Sequence, residues 1–406
     1  MNKFFKISSV AAAIAFLGFY SCSDDDSTST EEITNASVIN NYSDLVYQNY
    51  LESYNSAVEM QTAINSFVAS PSEAGLEAAK TAWLSARDIY GQTEAFRECN
   101  GPVDSEGESW SLGTEGQMNA WPIDESFIDY VAVGSEDYAG TFTSIIGDTA
   151  TYPSISESVI TDLNESQTDK SISTGWHAIE FLLWGQDETL PSENLPGQRE
   201  YTDYTTADNA DRRGAYLQAA TDLLVSDLND LVTTWADGGS YRTVFESLDE
   251  NTALTQLLTG PFFIAGDELS SERMIVPVDS NEGIDNSGQE FEHSCFADNT
   301  NNDVWANAQG VYNVVFGSYS NVSGTSFYDL VNATDADQAV ALKTAAAAAM
   351  EKVNVLKNGT EPFDLLITRE TATDANFGPV MQAVEALQDW ADVISESASV
   401  IGVNLQ

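Results

Sequence analysis

Apolar side chains recur every three or four residues through most of this chain, and this spacing constrains its fold more than any other feature. Residues three and four apart share one face of an α-helix, so the pattern predicts amphipathic helices that pack on one another. The clearest run carries Tyr216, Leu217, Ala220, Leu224, Leu228, Leu231 and Trp235. Neither half of the chain has a convincing set of alternating strand residues. The sequence therefore predicts an all-α protein.

The same reading gives approximate bounds for the other helices. Ser72 after Pro71 is a typical N-cap and opens a helix that runs to about Arg97. A Gly, Ser, Asp and Pro-rich excursion follows, over about residues 101–154. The remaining helices are predicted at 42–68, 125–133, 155–165, 175–184, 250–275, 300–316, 336–357 and 376–400.

The length of the chain predicts two domains. A chain of 406 residues exceeds what one small core requires, and 42% of its residues are hydrophobic, enough for ordinary cores. A polar connection over 186–207 is the expected boundary. We therefore expect an N-terminal helical domain over 41–205 and a C-terminal helical domain over 206–406.

The N-terminus has the composition of a lipoprotein signal. Two lysines precede an apolar run over 7–19, and Cys22 follows Ser21. We read residues 1–21 as a signal peptide and Cys22 as the lipidated residue, although Phe19-Tyr20 departs from the usual lipobox. A membrane-spanning helix is the alternative, but it requires about 20 apolar residues and this run is shorter. The expected location is the cell envelope, on an outer membrane.

An acidic, polar tether follows over residues 22–40. Its start, Ser23-Asp24-Asp25-Asp26, resembles the signal that sends Bacteroidetes lipoproteins to the cell surface, and a plain spacer is the alternative reading. The formal net charge of the chain is −49, which disfavours nucleic acid as a partner and attracts cations. Cys99 and Cys295 could form a disulfide in an oxidising compartment, but the sequence does not show that they meet.

The segment GWHAIE combines a histidine and a glutamate in a helix that is otherwise apolar on all sides. His177 and Glu180 are three residues apart and therefore lie on one helix face. A helix that is apolar all round is buried, so Glu180 must be paired, protonated or coordinated. A hydrogen bond within the core and a metal site both satisfy that requirement.

Two further polar blocks accompany this helix. One stripe carries Arg87, Tyr90, Glu94 and Arg97 at spacings of three and four, beside bulky apolar residues. Surface ion pairs worth less than about 1 kcal/mol are the simpler interpretation of that stripe. The second block surrounds His293, the other of the two histidines in the chain.

These blocks resemble the imelysin family. GWHAIE matches its GxHxxE motif at Gly175, His177 and Glu180. WLSARDIYGQTEAFR, NAWPIDESFIDY, GDELSSERM and EHSCFADNT resemble further family blocks in the same order, over roughly residues 80–320. The lipoprotein start is similar to that of the iron-regulated lipoproteins of Bacteroidetes within this family.

The resemblance implies an exported, all-helical protein of two domains, associated with iron uptake, with its functional site at the domain interface near GxHxxE. In a related domain of a periplasmic iron transporter the HxxE pair is a proposed metal site, so an envelope iron transporter is an expected partner. We accordingly expect a metal site at His177, Glu180 and Glu94. The other expected ligand-binding or interface residues are Tyr90, Arg97, Asp129, Glu268, Arg273, His293, Ser294 and Asp298.

The residues favour a binding protein over an enzyme, although the family was once classed with metallopeptidases. A peptidase zinc site uses HExxH or HxxEH, and here Phe181 follows Glu180. One imidazole with several carboxylates suits iron, with manganese or zinc as alternatives. Arg97 and Arg273 would attract an anionic ligand, so haem or an iron chelate is the second expectation. An adhesion or scaffold protein with a structural polar interface is the third.

Overall fold

A computed structural model describes residues 33–131, 144–280, 288–373 and 378–405. The expected signal peptide, the lipidation site Cys22 and the tether as far as residue 32 lie outside these ranges, as do parts of the helices expected at 125–133 and 376–400.

Helices dominate the described residues, which confirms the all-α prediction. The α-helices are α1 Asn35–Ala69, α2 Glu73–Tyr90, α3 Glu115–Met118, α4 Glu125–Ile128, α5 Glu157–Leu163, α6 Gly175–Trp184, α7 Ala210–Trp235, α8 Ser240–Ser247, α9 Glu250–Phe263, α10 Val276–Asp279, α11 Thr300–Phe316, α12 Phe327–Thr334, α13 Ala336–Lys357, α14 Phe363–Ile367 and α15 Pro379–Val400. Short 3-10 helices span Gly91–Phe96, Pro191–Glu193, Tyr201–Tyr204 and Gly288–Phe291, and a π-helix spans Ile264–Ile275. A two-residue antiparallel hairpin joins β1 Ser318–Tyr319 to β2 Val322–Ser323.

Local signals set several helix ends. The hydroxyl of Ser72 accepts a hydrogen bond from the backbone N–H of Gly75, as expected of an N-cap. Gly185 ends α6 with φ of 74°, a conformation that glycine adopts without a side-chain clash. The sequence predicted both the N-cap at Ser72 and a helix that ends at residue 184.

Two predicted helices change type before they end. The α-helix expected to reach Arg97 ends at Tyr90 and continues as the 3-10 helix Gly91–Phe96. The helix expected over 250–275 is α9 followed by the π-helix. Extended π-helical segments are rare and occur often at functional sites. Both irregular segments carry residues expected in the site.

Helix α1 packs against α2, α7 and α9, and α15 packs against α13, α9 and the π-helix. Helix α11 contacts both the 3-10 helix Gly91–Phe96 and α13. Four fully buried tryptophans mark the centre of the packing: Trp83, Trp176, Trp235 and Trp390. Contacts group Ile33–Gln406 into one unit, and the expected domain division near 186–207 stays a prediction.

Cys99 and Cys295 are both buried free thiols, so the disulfide that an oxidising compartment permits does not form between them. Burial raises the pKa of the Cys99 thiol to about 12. Across the described ranges, no helix is both long enough and apolar enough to cross a membrane.

Candidate functional site

A cavity of about 340 Å³ lies where the 3-10 helix Gly91–Phe96, the loop after α3, the π-helix and the segment at His293 converge. This volume is within the range of small-molecule sites, about 300–1,000 Å³. Its lining consists of Arg97, Glu115, Gly116, Asn119, Ala120, Trp121, Pro122, Glu268, Glu272, Arg273, Val276, Phe291 and His293. Four of the expected site residues are therefore on its wall.

Glu94 lies beside this cavity and neutralises its arginines. Nη2 of Arg273 donates to Oε2 of Glu94 over 2.7 Å, and Nη1 of Arg97 donates to the same oxygen over 3.3 Å. The side-chain amide of Asn119 donates to Oε1 over 3.2 Å. Burial alone raises the pKa of Glu94, but Arg273 and Arg97 outweigh burial and lower it to about 2. Both oxygens of this expected metal ligand are thus engaged by donors.

Arg97 is surrounded by carboxylates at one end of the cavity. Its Nη1 donates to Oε1 of Glu268 over 3.4 Å, and Arg273 donates to the same oxygen over 2.8 Å. Nε of Arg97 lies 3.2 Å from Oε1 of Glu115, within ion-pair range but without a well-aligned hydrogen bond. Burial raises the pKa of Glu115 to about 7, with Arg97 opposing the rise and Glu94 adding to it.

His293 forms part of the cavity wall, and Arg87 contacts its imidazole ring. Nη2 of Arg87 lies 3.2 Å from Nδ1 and 3.3 Å from Nε2 of the imidazole. Arg87 also pairs with Asp303 through Nε over 3.2 Å, and Asp303 accepts a short hydrogen bond from Ser294. Burial, and then the charges of Arg273 and Arg87, lower the pKa of His293 well below its usual range. The imidazole is therefore neutral.

The His177–Glu180 pair is fully buried and internally hydrogen-bonded. Nδ1 of His177 lies 2.8 Å from Oε2 of Glu180, and the backbone N–H of Ala297 donates to Oε1 over 3.0 Å. Both carboxyl oxygens are therefore occupied. Nε2 of His177 is buried and has no hydrogen-bond partner among the described residues. A carboxyl group that engages one imidazole nitrogen and leaves the other free is the usual arrangement behind a ligating histidine.

Burial favours the neutral form of both members of this pair. It lowers the pKa of His177 well below the usual value, and Arg87 lowers it further. Burial also raises the pKa of Glu180 well above the usual value, and Asp303 raises it further. Nδ1 of His177 and Oε2 of Glu180 share one hydrogen bond, and the tautomer of the imidazole decides which of the two atoms donates.

His177 does not line the cavity but lies one layer behind its wall. The Trp121 ring is 4.8 Å from the His177 ring between centroids, and the His293 ring is 5.1 Å away. Both rings belong to the cavity lining. The expectation that His177 and Glu180 face a polar pocket directly therefore needs one correction: Trp121 and His293 stand between them and the open space.

Gly175, the glycine of the GxHxxE motif, determines how closely the loop that carries Trp121 approaches His177. Gly175 opens α6 with φ of +82°, and a Cβ there would lie 2.3 Å from the carbonyl oxygen of Met118. Only glycine lets the end of α3 approach α6 this closely. Trp121 follows Met118 by three residues, so this close approach places the loop that covers His177.

Besides Glu94, His177, Glu180 and Ser294, three more of the expected site residues are not part of the cavity lining. Asp129 accepts hydrogen bonds from Arg199 over 2.9 Å and from Arg213 over 2.6 Å. Tyr90 is buried, with its ring centroid 5.1 Å from that of Trp176. Asp298 is partly buried, and burial together with the charges of Asp364 and Asp187 raises its pKa to about 8.

Within residues 33–131, 144–280, 288–373 and 378–405, no three His, Cys, Asp or Glu side chains are grouped so that they could hold a metal ion. The expected ligand set of His177, Glu180 and Glu94 therefore stays a prediction.

The sequence reading missed several residues of the site. Glu115, Asn119 and Trp121 lie in or beside short elements of the Gly-rich excursion, where helical spacing carries no information. Arg87 was noted in its polar stripe, but its partner Asp303 comes from α11, more than 200 residues later. The only sequence signal for Trp121 was its place in the block NAWPIDESFIDY.

Comparison with known proteins agrees with this fold and with the family resemblance. The family model of imelysin, Peptidase_M75, matches residues 46–393. An iron-regulated protein A of Synechococcus elongatus is 27% identical over 299 residues, which span 71% of this chain and 66% of that protein, just under two thirds of its length. A crystal structure described as an iron-regulated protein A precursor from Parabacteroides distasonis shares the fold, with a TM-score of 0.67 at 18% identity, over 90% of this chain and 94% of the other. Since the family model spans most of its length, this chain belongs to the imelysin family.

Proposed function

We propose that this protein is an envelope lipoprotein that binds iron for uptake, and that the iron arrives as a small chelate bearing carboxylate groups. The site is the cavity between the π-helix and the loop at Trp121, with His177 behind its wall. One observation carries the proposal: Nε2 of His177 is buried, without a hydrogen-bond partner in the described ranges, and oriented by Glu180.

Glu180 acts in this proposal by positioning His177. Its two oxygens are engaged by the imidazole and by the backbone of Ala297, so it fixes the ring and leaves Nε2 as the reactive atom. Iron can bind Nε2 only when that nitrogen carries no proton, because a metal binds the unprotonated imidazole nitrogen.

The surroundings favour a chelate over a bare ion. A bare ion needs several protein ligands, and the described residues supply no group of three. A chelated iron brings most of its own ligands, so that one imidazole completes the set. The guanidinium groups of Arg97 and Arg273 lie on the cavity wall and would exchange their present partner Glu268 for the carboxylates of such a chelate. Relatives named as iron-regulated proteins are consistent with this role.

A peptidase function has less support in the site, despite the name of the family model. A catalytic zinc uses three protein ligands and an open position, with a carboxylate free to act as general base. The oxygens of Glu180 and Glu94 are engaged by donors that hold them in place. We therefore propose that the protein binds its ligand without cleaving a substrate.

The test is equilibrium binding of ferric citrate to the full-length protein. His177→Ala should lose most binding while helix content, measured by circular dichroism, stays unchanged. Glu180→Gln keeps the shape of the side chain and should weaken binding by about 10–100-fold, the usual cost of losing an orienting partner. Glu385→Gln, at an exposed position on α15, is the matched control and should bind like the parent.

Separate arms use citrate alone, ferrous ion alone and haem. If haem or ferrous ion alone binds more tightly than ferric citrate, the proposal that the ligand is a small iron chelate is wrong. If His177→Ala binds ferric citrate as the parent does and changes only thermal stability, the pair is a structural hydrogen bond. Cleavage of a peptide library that His177→Ala abolishes would instead establish an enzyme.

A further inference from the structure

A second cavity lies at the end of α6 and shares no lining residue with the cavity described above. Its volume is about 190 Å³, and its wall includes Tyr130, Gly185, Glu188, Gln198 and Arg199. This volume is below the range of about 300–1,000 Å³ of typical small-molecule sites, so the space suits a group of only a few heavy atoms. We call it the Arg199 cavity.

Two glycines let the chain return against the end of α6 and so place Arg199 in this wall. The backbone N–H of Arg199 donates to the carbonyl oxygen of Trp184 over 2.7 Å. A Cβ at Gly197 would lie 2.7 Å from the carbonyl oxygens of Trp184 and Gly185. One at Gly185 would lie 3.2 Å from Cβ of Arg199. The close approach of the two segments therefore requires glycine at position 197.

The guanidinium group of Arg199 is buried between two aromatic rings. Its Cζ lies 5.1 Å from the centroid of the Phe181 ring and 5.4 Å from that of the Tyr130 ring. The side chain is 3% exposed. Burial of a charged donor group is unfavourable unless its N–H groups are engaged, so each N–H of Arg199 needs a partner.

One end of this guanidinium is paired, and one edge is not. Nη1 donates to Oδ2 of Asp129 over 2.9 Å and to Oδ2 of Asp203 over 3.0 Å. Nε is buried and has no hydrogen-bond partner among the described residues, and no hydrogen bond within those ranges engages Nη2. Nε–H and one N–H of Nη2 point the same way in a planar guanidinium. This unpaired edge is therefore a fork that matches the two oxygens of a carboxylate.

The two carboxylates next to Arg199 are held by further donors away from this edge. Oδ2 of Asp129 also accepts from Nε of Arg213 over 2.6 Å. Oδ2 of Asp203 also accepts from the hydroxyl of Tyr130 over 2.7 Å. Both are thus fixed at Nη1, and the fork is left for a group from outside the chain.

The charges around the cavity favour a monoanion. Glu188 is an exposed carboxylate on the wall, and Asp129 and Asp203 lie at the paired end of the guanidinium. A phosphate group carries more than one negative charge at neutral pH and would meet all three of these carboxylates. A single carboxylate needs only the fork and meets less repulsion.

We propose that the Arg199 cavity binds a carboxylate group, with Nε and Nη2 of Arg199 donating to its two oxygens. The ring of Tyr130 lines the same space and offers an apolar face to the rest of the ligand. Either a free monocarboxylate or the C-terminus of a peptide presents this group. The inference does not depend on iron binding.

The first experiment titrates ¹³C-labelled propionate into the full-length protein, in a buffer free of other carboxylates, and follows it by NMR. The parent should bind propionate saturably. Propionamide, which has the same shape without the charge, should not bind, and phosphate should bind more weakly. Absence of saturable propionate binding, equal binding of propionamide or tighter binding of phosphate would each overturn the proposal.

Two substitutions on the wall change its charge in opposite directions and leave Arg199 in place. Glu188→Gln removes the opposing carboxylate and should tighten propionate binding about two- to five-fold, whereas Gln198→Glu adds one and should weaken binding by a similar factor. Both positions are exposed, and Glu385→Gln on α15 is the exposed control that should bind like the parent. If both wall variants bind propionate as the parent does, the ligand does not occupy this cavity and the proposal is wrong.

Arg199→Lys keeps the positive charge but loses the fork, so it should weaken propionate binding at least about tenfold. Circular dichroism and urea unfolding check its fold, because the lysine must also hold Asp129 and Asp203. Should this variant not fold, the two wall variants still decide the question.

Two further arms locate the site and identify the source of the carboxylate. Saturating ferric citrate should leave propionate bound, and complete displacement would place the propionate in the first cavity and overturn the proposal. Trialanine with a free C-terminus is compared with its C-terminal amide. Tighter binding of the free acid than of propionate would identify a peptide terminus as the ligand, and weaker binding a free monocarboxylate. Binding of the amide as tight as that of the acid would contradict carboxylate recognition.

Discussion

Asp129 is a buried counter-ion for two guanidinium groups. Arg213 donates to both of its oxygens, over 2.6 Å and 3.0 Å, and Arg199 donates over 2.9 Å. All three side chains are at least nine-tenths buried. Burial raises the pKa of Asp129, but the hydrogen bonds and charges of Arg213 and Arg199 outweigh it, and the net shift is downward. These contacts explain its burial without a ligand.

Replacement of Asp129 by alanine should cost stability and leave the binding site intact. Two buried arginines would lose a shared partner, and breaking such a buried pair costs about 3–5 kcal/mol. Urea unfolding measures this loss. Asp44→Ala removes the partner of Arg242 at an exposed position and should cost less than about 1 kcal/mol. Loss of ferric citrate binding with full stability would show instead that Asp129 belongs to the binding site.

At this scale the sequence could predict which residue types meet but not which atoms remain free. The blocks holding Glu94, Arg97, Glu268 and Arg273 were expected in one site, and the structure brings these four side chains together. That His177 lies behind the wall could not be predicted, because the covering residue Trp121 comes from an irregular loop.

Among the helices, α6 is the one whose packing depends most on a single residue, Gly175. Gly175 has a positive φ and a backbone carbonyl where a side chain would begin. Gly175→Ala should therefore add a steric clash to a conformational cost of about 1–2 kcal/mol. We expect a loss of at least about 2 kcal/mol of stability, measured by urea unfolding.

Gly238→Ala provides the matched control. Its φ is +71° and a Cβ there would meet nothing within 4 Å, so only the conformational cost applies. If the two variants lose equal stability, the approach of Met118 to α6 does not constrain this position.

Helix positions were predictable where spacing is regular. The expected bounds 336–357 and 300–316 match α13 and α11. The changes of helix type after Tyr90 and at Ile264 were not predictable, because apolar spacing does not distinguish bonds between residues three, four or five apart. Those irregular segments carry Glu94, Glu268 and Arg273, so part of the site rests on geometry that the pattern does not encode.

For the whole molecule, anchoring is the property that the N-terminal sequence predicts. Cys22→Ser should move the protein from the membrane fraction to the soluble fraction, because the acyl chains provide the expected attachment. Immunoblots of fractionated cells measure the change, with Cys99→Ser as the control at a buried thiol. Retention of Cys22→Ser in the membrane would contradict lipidation.

The layer over His177 has a kinetic consequence. The two rings beside it, Trp121 and His293, belong to the cavity lining, whereas the imidazole itself is fully buried. A ligand that enters the cavity can reach Nε2 only after that wall has moved. Capture should therefore proceed in two stages, a fast encounter and a slower rearrangement, and the observed rate should level off as ligand concentration rises. The same barrier would retain the ligand, because release requires the wall to open again.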